Sequence, residues 1–155
     1  MNSFGIVTFL QEYPTNFEFN KDLRPLHITQ MDTFTTKKSP NIIINSLQAA
    51  LKDFPVVSTR VESKQMLGPQ KNIPVLKLET TARLKLLHET IVGAMKNLNV
   101  EFKRPFILGN NFLPHITINP SLNLQINDKT IISSICVIDK NNPNTRQIIA
   151  TIKLS

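Results

Sequence analysis

Hydrophobic and polar positions change period several times along the chain, and each change marks a predicted element. Short runs rich in β-branched and aromatic residues, bounded by proline, glycine or asparagine, predict strands. Seven such runs occur, at residues 3–10, 25–34, 55–65, 73–79, 112–118, 129–138 and 146–154. The last two flank the turn DKNNPNT and predict a hairpin. The segment PTNFEFNKDL, residues 14–23, has no clear period and is predicted as a connection.

Two segments carry the helical period instead. Ser39 offers a capping hydroxyl, Pro40 suits the first helical position, and apolar residues recur at helical spacing until Pro55. A second helix is predicted from the threonine pair at 80–81 to about Asn99. Its apolar stripe consists of Leu84, Leu87, Ile91, Met95 and Leu98. The chain thus reads as two strand-rich units with one long helix each, which predicts an α+β protein whose sheets carry helices on one face.

Length and composition suit one domain built around one core. The chain has 155 residues and 17.6 kDa, with 41% hydrophobic and 19% charged residues. A single cysteine, Cys136, excludes a disulfide framework and a cysteine-rich zinc module. No run of about 18 apolar residues and no signal-peptide pattern occurs, so we expect a cytoplasmic protein, a monomer without membrane contact. The phenylalanines, including Phe9 and Phe112, are predicted to lie in the core.

The charge balance favours anionic partners. Eighteen Lys and Arg residues against eleven Asp and Glu residues give a net charge of +7 and a pI near 9.8. The cations are scattered, and no run exceeds two residues, as in Lys37-Lys38 and Lys103-Arg104. There is no basic tail, so charge alone gives only a weak indication of nucleic acids, nucleotides or acidic lipid heads.

A repeated short motif carries the candidate chemistry. His27, His88 and His115 are each followed two positions later by threonine. On a strand, residues i and i+2 point to the same face, whereas on a helix they diverge by about 200°. His88 lies within the second predicted helix and is expected to be structural. The other two histidines lie on predicted strands in the near-repeats PLHITQ and LPHITI, so each would present an imidazole and a hydroxyl, from Thr29 or Thr117, on one face.

The two strand motifs lie 88 residues apart, each within one strand–helix–strand unit. This arrangement indicates an internally duplicated fold with a pseudo-symmetric cleft. Coincidence is the simplest alternative, because the H-x-T pattern is short. Zinc binding by the three histidines and Cys136 is another, but no spacing resembles a structural zinc site, and we predict no metal site and no cofactor.

The paired H-I-T motifs, the proline just ahead of each and the strand–helix alternation resemble the 2H (two-histidine) phosphoesterase superfamily, in its 2′-5′ RNA ligase-like and 2′,3′-cyclic phosphodiesterase branch. The resemblance spans nearly the whole chain and is sharper at FLPHITI. It implies one domain of two pseudo-symmetric lobes, with antiparallel sheets, helices on the outer faces and a central cleft. It also implies metal-free chemistry, with His27, Thr29, His115 and Thr117 as catalytic residues.

The sequence departs from the family pattern after the second motif. Many ligase-like members carry an arginine three positions after the second threonine, where this chain has Pro120. Phosphate binding must therefore come from other cations, and Lys103 and Arg104 are the candidates. The resemblance further implies that His27 acts as general acid and His115 as general base in hydrolysis.

Three functions follow as expectations. The first is a phosphodiesterase that opens a 2′,3′-cyclic phosphate at an RNA end or on a small nucleotide. The second keeps this chemistry but uses 2′-5′ oligoadenylate or a cyclic oligonucleotide. The alternative is a basic RNA- or nucleotide-binding module with the same cleft but no turnover, whose affinity would depend on salt and not on the histidines.

Overall fold

The computed structural model describes all 155 residues, which form ten strands and two α-helices. Helix α1 spans Pro40–Ala50 and helix α2 spans Ala82–Asn97. The strands are β1 Asn2–Phe9, β2 Glu18–Asn20, β3 His27–Thr36, β4 Val57–Leu67, β5 Ile73–Leu78, β6 Glu101–Phe102, β7 His115–Thr117, β8 Lys129–Ile132, β9 Ser134–Asp139 and β10 Thr145–Lys153. Two short 3-10 turns, Pro105–Ile107 and Gly109–Asn111, lie between β6 and β7.

All strands belong to one ten-stranded sheet, and every pairing in it is antiparallel. The strand order is β2-β10-β9-β1-β3-β7-β5-β4-β8, with β6 attached to β3. Strands β3 and β7, which carry the two H-x-T motifs, are neighbours near the centre. The predicted α+β class with antiparallel sheets is therefore confirmed.

One face of the sheet is buried under the helices. The apolar stripe of α2 packs there, with Leu84, Leu87, Ile91 and Met95 fully buried. The N-cap of this helix is Thr81, whose hydroxyl accepts a hydrogen bond from the backbone N–H of Leu84. A core of 25 buried residues fills the space between helices and sheet. The opposite face is free of helices, so polar side chains at alternate strand positions can face a ligand.

Three strand predictions need correction. Residues 14–23 are not merely a connection, because Glu18–Asn20 pairs with β10. The run 129–138 is two strands separated by Ser133: β8 pairs with β4, whereas β9 lies between β1 and β10. The strand predicted at 112–118 is only His115–Thr117, preceded by a proline that has no N–H to donate.

Since β8 and β9 lie far apart in the strand order but only one residue apart in the chain, the sheet bends until its β8 edge returns to β9. Neither helix has both the length and the apolar character needed to cross a membrane. The division into two pseudo-symmetric lobes stays a prediction.

Candidate active site

The register between β3 and β7 brings the two motifs together. Ile28 lies directly opposite Ile116 in an antiparallel pair, and both side chains are fully buried on the helix side of the sheet. Because neighbouring residues along a strand point to opposite faces, the residues on either side of each isoleucine point away from the helices. The two isoleucines therefore anchor both motifs in the core.

The four flanking side chains form a square on the open face, the H-x-T square. Antiparallel register places His27 opposite Thr117 and Thr29 opposite His115, so the motifs are related by a local two-fold axis. The histidines occupy one diagonal and the threonines the other. Diagonal neighbours in such a pair are about 7–8 Å apart. All four side chains line one cleft, so a single phosphate above the centre of the square is within reach of each.

Each imidazole of the square is held by the same backbone contact. Nδ1–H of His27 donates to the carbonyl oxygen of Pro25, and Nδ1–H of His115 donates to that of Leu113, both at 2.8 Å. A carbonyl oxygen only accepts, so the proton of the neutral ring resides on Nδ1. Nε2 is left to exchange a proton with a ligand in the cleft. Because both motifs make the same contact, the local two-fold axis also relates the hydrogen bonds of the two imidazoles.

The electrostatic setting of His27 favours the neutral ring. Burial lowers the pKa of His27, and the nearby positive charges of Arg24, Lys140 and His115 lower it further. The hydrogen bond to Pro25 acts in the opposite direction but does not compensate. In the free protein at neutral pH, His27 is therefore ready to accept a proton. A bound anion beside the ring would favour its protonated form.

His88 lies apart from the square and connects the two motifs through the interior. Its side chain is 1% exposed; Nδ1–H donates to the carbonyl oxygen of Gln30, and Nε2 accepts from the backbone N–H of Gly109. The ring stacks on Phe112 at 3.9 Å between centroids. Burial lowers the pKa of His88, which keeps it neutral. The expected structural role of His88 thus includes fixing β3 to the segment that leads into β7.

The cleft above the square has a volume of about 910 Å³, and its charged side chains lie on only part of its lining. Five cationic and two acidic side chains line it: Lys21, Arg24, Arg104, Lys140, Arg146, Asp22 and Asp32. All come from β3, from the segments before β3 and before β7, or from the β9–β10 region. The lining from the β4–β5 hairpin and β7 contains no lysine, arginine, aspartate or glutamate. Besides His115 it consists of Leu67, Gly68, Pro69, Ile73, Val75, Thr117 and Asn119.

The two cations expected to bind phosphate are placed differently. Lys103 does not line the cleft, and its backbone N–H donates to the carbonyl oxygen of Thr33 next to the β3–β6 pairing. Arg104 does line it, but Nε donates to Oδ2 of Asp32 at 2.7 Å. Burial of Asp32 raises its pKa, yet this hydrogen bond and the other positive neighbours bring the pKa of Asp32 below its usual value. Much of the charge of Arg104 is therefore already compensated.

Sequence reasoning missed Lys21 and also three further cleft cations that form no ion pair, Arg24, Lys140 and Arg146. Of these three, only Arg24 has a local signal, since it lies three residues before His27. The other two flank the β9–β10 turn, more than 20 residues beyond the second motif, and reach the cleft through strand pairing alone. Pro120, at the position where relatives carry arginine, does not line the cleft.

The prediction that the phenylalanines belong to the core is wrong for Phe106, which is 67% exposed, and incomplete for two others, which line the cleft. Phe9 lines the cleft and meets the ring of His27 edge-on, with centroids 6.2 Å apart. Phe112 also lines it and supports His88. Phe19 of β2 reaches the same wall and contacts Phe9. No group of three or more His, Cys, Asp or Glu side chains is arranged to hold a metal ion.

Solved structures share this architecture at low sequence identity. Protein TT0787 of Thermus thermophilus aligns with a TM-score of 0.65 and 12% identity, over 99% of this chain and 98% of that one. LigT of E. coli in complex with 3′-AMP aligns with a TM-score of 0.61 and 12% identity, and a phosphoesterase with 0.61 and 11%, at the same coverage. These likenesses define the fold as that of LigT and related phosphoesterases.

The sequence itself carries the assignment further. Residues 7–143, which include both H-I-T motifs, match the family model of the 2′-5′ RNA ligase superfamily. The chain belongs to the 2′-5′ RNA ligase superfamily, as the paired motifs indicated. No curated protein sequence matches it.

Proposed function

We propose that this protein is a phosphodiesterase that opens 2′,3′-cyclic phosphates at RNA ends, or related 2′-5′-linked or cyclic nucleotides, by general acid–base catalysis with two histidines and without a metal. The observation that carries the proposal is the H-x-T square, with two imidazoles on one diagonal and two hydroxyls on the other. LigT, which shares the fold, has been crystallised with 3′-AMP, ATP and NADP+, and this supports a nucleotide as the substrate.

The mechanism assigns one role to each member of the square. Nε2 of His115 takes a proton from water, the water oxygen attacks phosphorus, and Nε2 of His27 protonates the departing ribose oxygen as the P–O bond breaks. The hydroxyls of Thr29 and Thr117 donate to the non-bridging oxygens as negative charge develops there. The ring opens to a phosphomonoester, and one water is consumed.

The assignment of His27 as the acid depends on the bound substrate. Its pKa is lowered in the free protein by burial and by positive neighbours. A phosphate anion beside Nε2 reverses this balance because an opposite charge stabilises the imidazolium. Protonation of His27 is therefore coupled to substrate binding in this mechanism, which leaves His115 free to act as the base.

The test is ring opening of cytidine 2′,3′-cyclic phosphate by the purified protein, followed by phosphorus NMR. We expect turnover without added metal, unchanged by a chelator, and a loss of about 10²–10⁴-fold in both His27→Ala and His115→Ala. Circular dichroism and thermal unfolding show whether each variant is folded. Turnover that the chelator abolishes, or that survives in both folded variants, would overturn the proposal.

The binding-module alternative rests on the five cations of the cleft. It predicts affinity for RNA that falls steeply with salt and is the same in the wild type and both histidine variants, with no turnover of any cyclic substrate. The same preparations therefore decide between the two functions.

A further inference from the structure

We propose that Arg24, Lys140 and Arg146 form a second phosphate subsite, the turn subsite, for a phosphate on the 5′-oxygen of the nucleoside whose cyclic phosphate occupies the H-x-T square. The inference rests on the proposed function for the position of the first phosphate. It specifies the substrate as the end of an oligonucleotide, or a 5′-phosphorylated nucleotide, in preference to a nucleoside with one phosphate.

The backbone brings the three cations to one place, the β9–β10 turn. Lys140 and Arg146 lie at the two ends of this turn. The backbone N–H of Lys21 donates to the carbonyl oxygen of Asn144 within the turn, at 3.1 Å. Arg24 in turn donates from Nε to the carbonyl oxygen of Lys21, at 2.9 Å. Three cations that are far apart in the sequence are thus fixed at one wall of the cleft.

Lys140 is packed into this wall. A Cβ at position 5 would lie only 2.7 Å from Cε of Lys140, so glycine at position 5 leaves the space that the lysine chain occupies. The ammonium group donates to Oγ1 of Thr33 at 2.7 Å. A hydroxyl partner orients the ammonium but leaves its charge uncompensated. An ammonium group held in this way can form a charge-assisted hydrogen bond with an anionic ligand.

No carboxylate forms an ion pair with the cations of the turn subsite, although Asp32 lies near Lys140, and Asp22 and Asp139 lie near Arg146. Of the two cleft carboxylates, Asp32 is bonded to Arg104. Nε of Arg146 is buried without a partner. Burial lowers the pKa of Lys140 to about 8, and the nearby arginines contribute to this shift.

The backbone of β1 relates the H-x-T square to the turn subsite, with a spacing of the order of one nucleotide. Val7 of β1 is paired with Thr29, and Gly5, under the Lys140 chain, lies two residues away along the same strand. Two residues of a strand span about 7 Å. This separation is comparable to that between a 3′-phosphate and a 5′-phosphate on one ribose. A ribose between the two sites would therefore place one phosphate in each.

Calorimetric titration with three probes tests the turn subsite without turnover. The probes are cytidine 3′-phosphate, cytidine 3′,5′-bisphosphate and the dinucleotide CpC with a 3′-phosphate. We expect the wild type to bind the last two at least about tenfold more tightly than the first. Gains of similar size for both probes support the subsite, because both carry a phosphate on the 5′-oxygen. A gain for the dinucleotide alone would assign the extra affinity to the added nucleoside and would count against the subsite.

The variants Arg24→Gln, Lys140→Met and Arg146→Gln should each remove most of this gain. The slope of log affinity against log salt for the dinucleotide should fall by about 0.7 per lost contact. Arg83→Gln is the matched control: this arginine is exposed on α2, outside the cleft, and its loss should leave the gain unchanged.

Two other results would overturn the turn subsite: no gain in the wild type, or a gain that persists in all three variants. If the gain depends on the cluster but no cyclic substrate is opened, the proposed function fails and the subsite stands. If cyclic substrates are opened but a second phosphate brings no gain, the subsite fails and the proposed function stands.

Discussion

The two halves of the cleft contain the same motif in different surroundings. Around His27, the lining includes Arg24, Lys140 and an aromatic wall; around His115, it is apolar or carries only amides and hydroxyls. Both imidazoles nevertheless make the same Nδ1 contact to the carbonyl two residues earlier. Strand register and local backbone therefore fix the positions of the imidazoles, while neighbours from elsewhere in the chain fix the charge around each of them.

Replacing either imidazole should reduce the catalytic rate more than any other change, and a change of leaving group distinguishes the acid from the base. With a p-nitrophenyl phosphodiester, the leaving group departs without help from an acid. Loss of the acid should then cost much less than the roughly 10²–10⁴-fold expected with a cyclic ribose phosphate, while loss of the base should cost the same with both substrates. Measured rates of His27→Ala and His115→Ala on the two substrates identify the acid. If the p-nitrophenyl substrate restored the rate of His115→Ala but not that of His27→Ala, His115 would be the acid and His27 the base.

A smaller effect tests whether the two-fold relation extends to the hydroxyls. Thr29→Val and Thr117→Val each remove one donor at nearly constant volume, and we expect kcat to fall by about 10²-fold in each. Thr90→Val is the matched control from the third H-x-T pattern, since this threonine lies on α2 and donates to the carbonyl oxygen of Leu86. A loss confined to one strand threonine would mean that only one half of the cleft contacts the phosphate oxygens.

The smallest change is expected in the free energy of unfolding, when two lysines in different surroundings are replaced. Lys140 has its pKa lowered by burial to about 8, whereas Lys77, which is paired with His115 across β5 and β7, forms an ion pair with Glu62. Removing the buried, unpaired charge should therefore stabilise the protein. We expect Lys140→Met to raise the free energy of unfolding at pH 7 by about 1–3 kcal/mol. Lys77→Met should change it by less than about 1 kcal/mol.

The lowered pKa of Lys140 also predicts how the free energy of unfolding changes with pH. Between about pH 8 and the ordinary lysine value of 10.5, the unfolded chain holds a proton at Lys140 that the folded protein has lost. Stability should therefore rise with pH through this window in the wild type, and Lys140→Met should remove that rise. Urea unfolding from pH 7 to 10.5 measures both. A destabilised Lys140→Met variant at pH 7 would contradict the uncompensated charge.

Period and turn chemistry were sufficient to predict most elements of the fold. The helix from Pro40 and the strand positions of both motifs follow from local pattern, because each residue meets its neighbours within a turn or a strand. The break at Ser133 could not be predicted, since IISSICVI reads as one strand and only pairing with distant partners divides it. The short β2 is likewise created by its pairing with β10.

For the site, the H-x-T square was accessible from sequence and the rest of the cleft was not. Spacing places His27 and Thr29 on one face of a strand, but nothing local indicates that Ile28 is opposite Ile116. Lys103 and Arg104 were chosen as a basic pair near the second motif, whereas Asp32 already compensates one of them. Lys140 and Arg146 reach the cleft through a turn whose position depends on the whole sheet.

The single residue between β8 and β9 has a mechanical consequence. Ser133 connects β8, at one end of the strand order, to β9, the third strand from the other end, and its carbonyl oxygen also accepts a hydrogen bond from the backbone N–H of Leu154. A hinge motion that separated β8 from β9 would have to extend this one-residue connection, which has no slack. We therefore expect the width of the cleft to change little when a ligand binds.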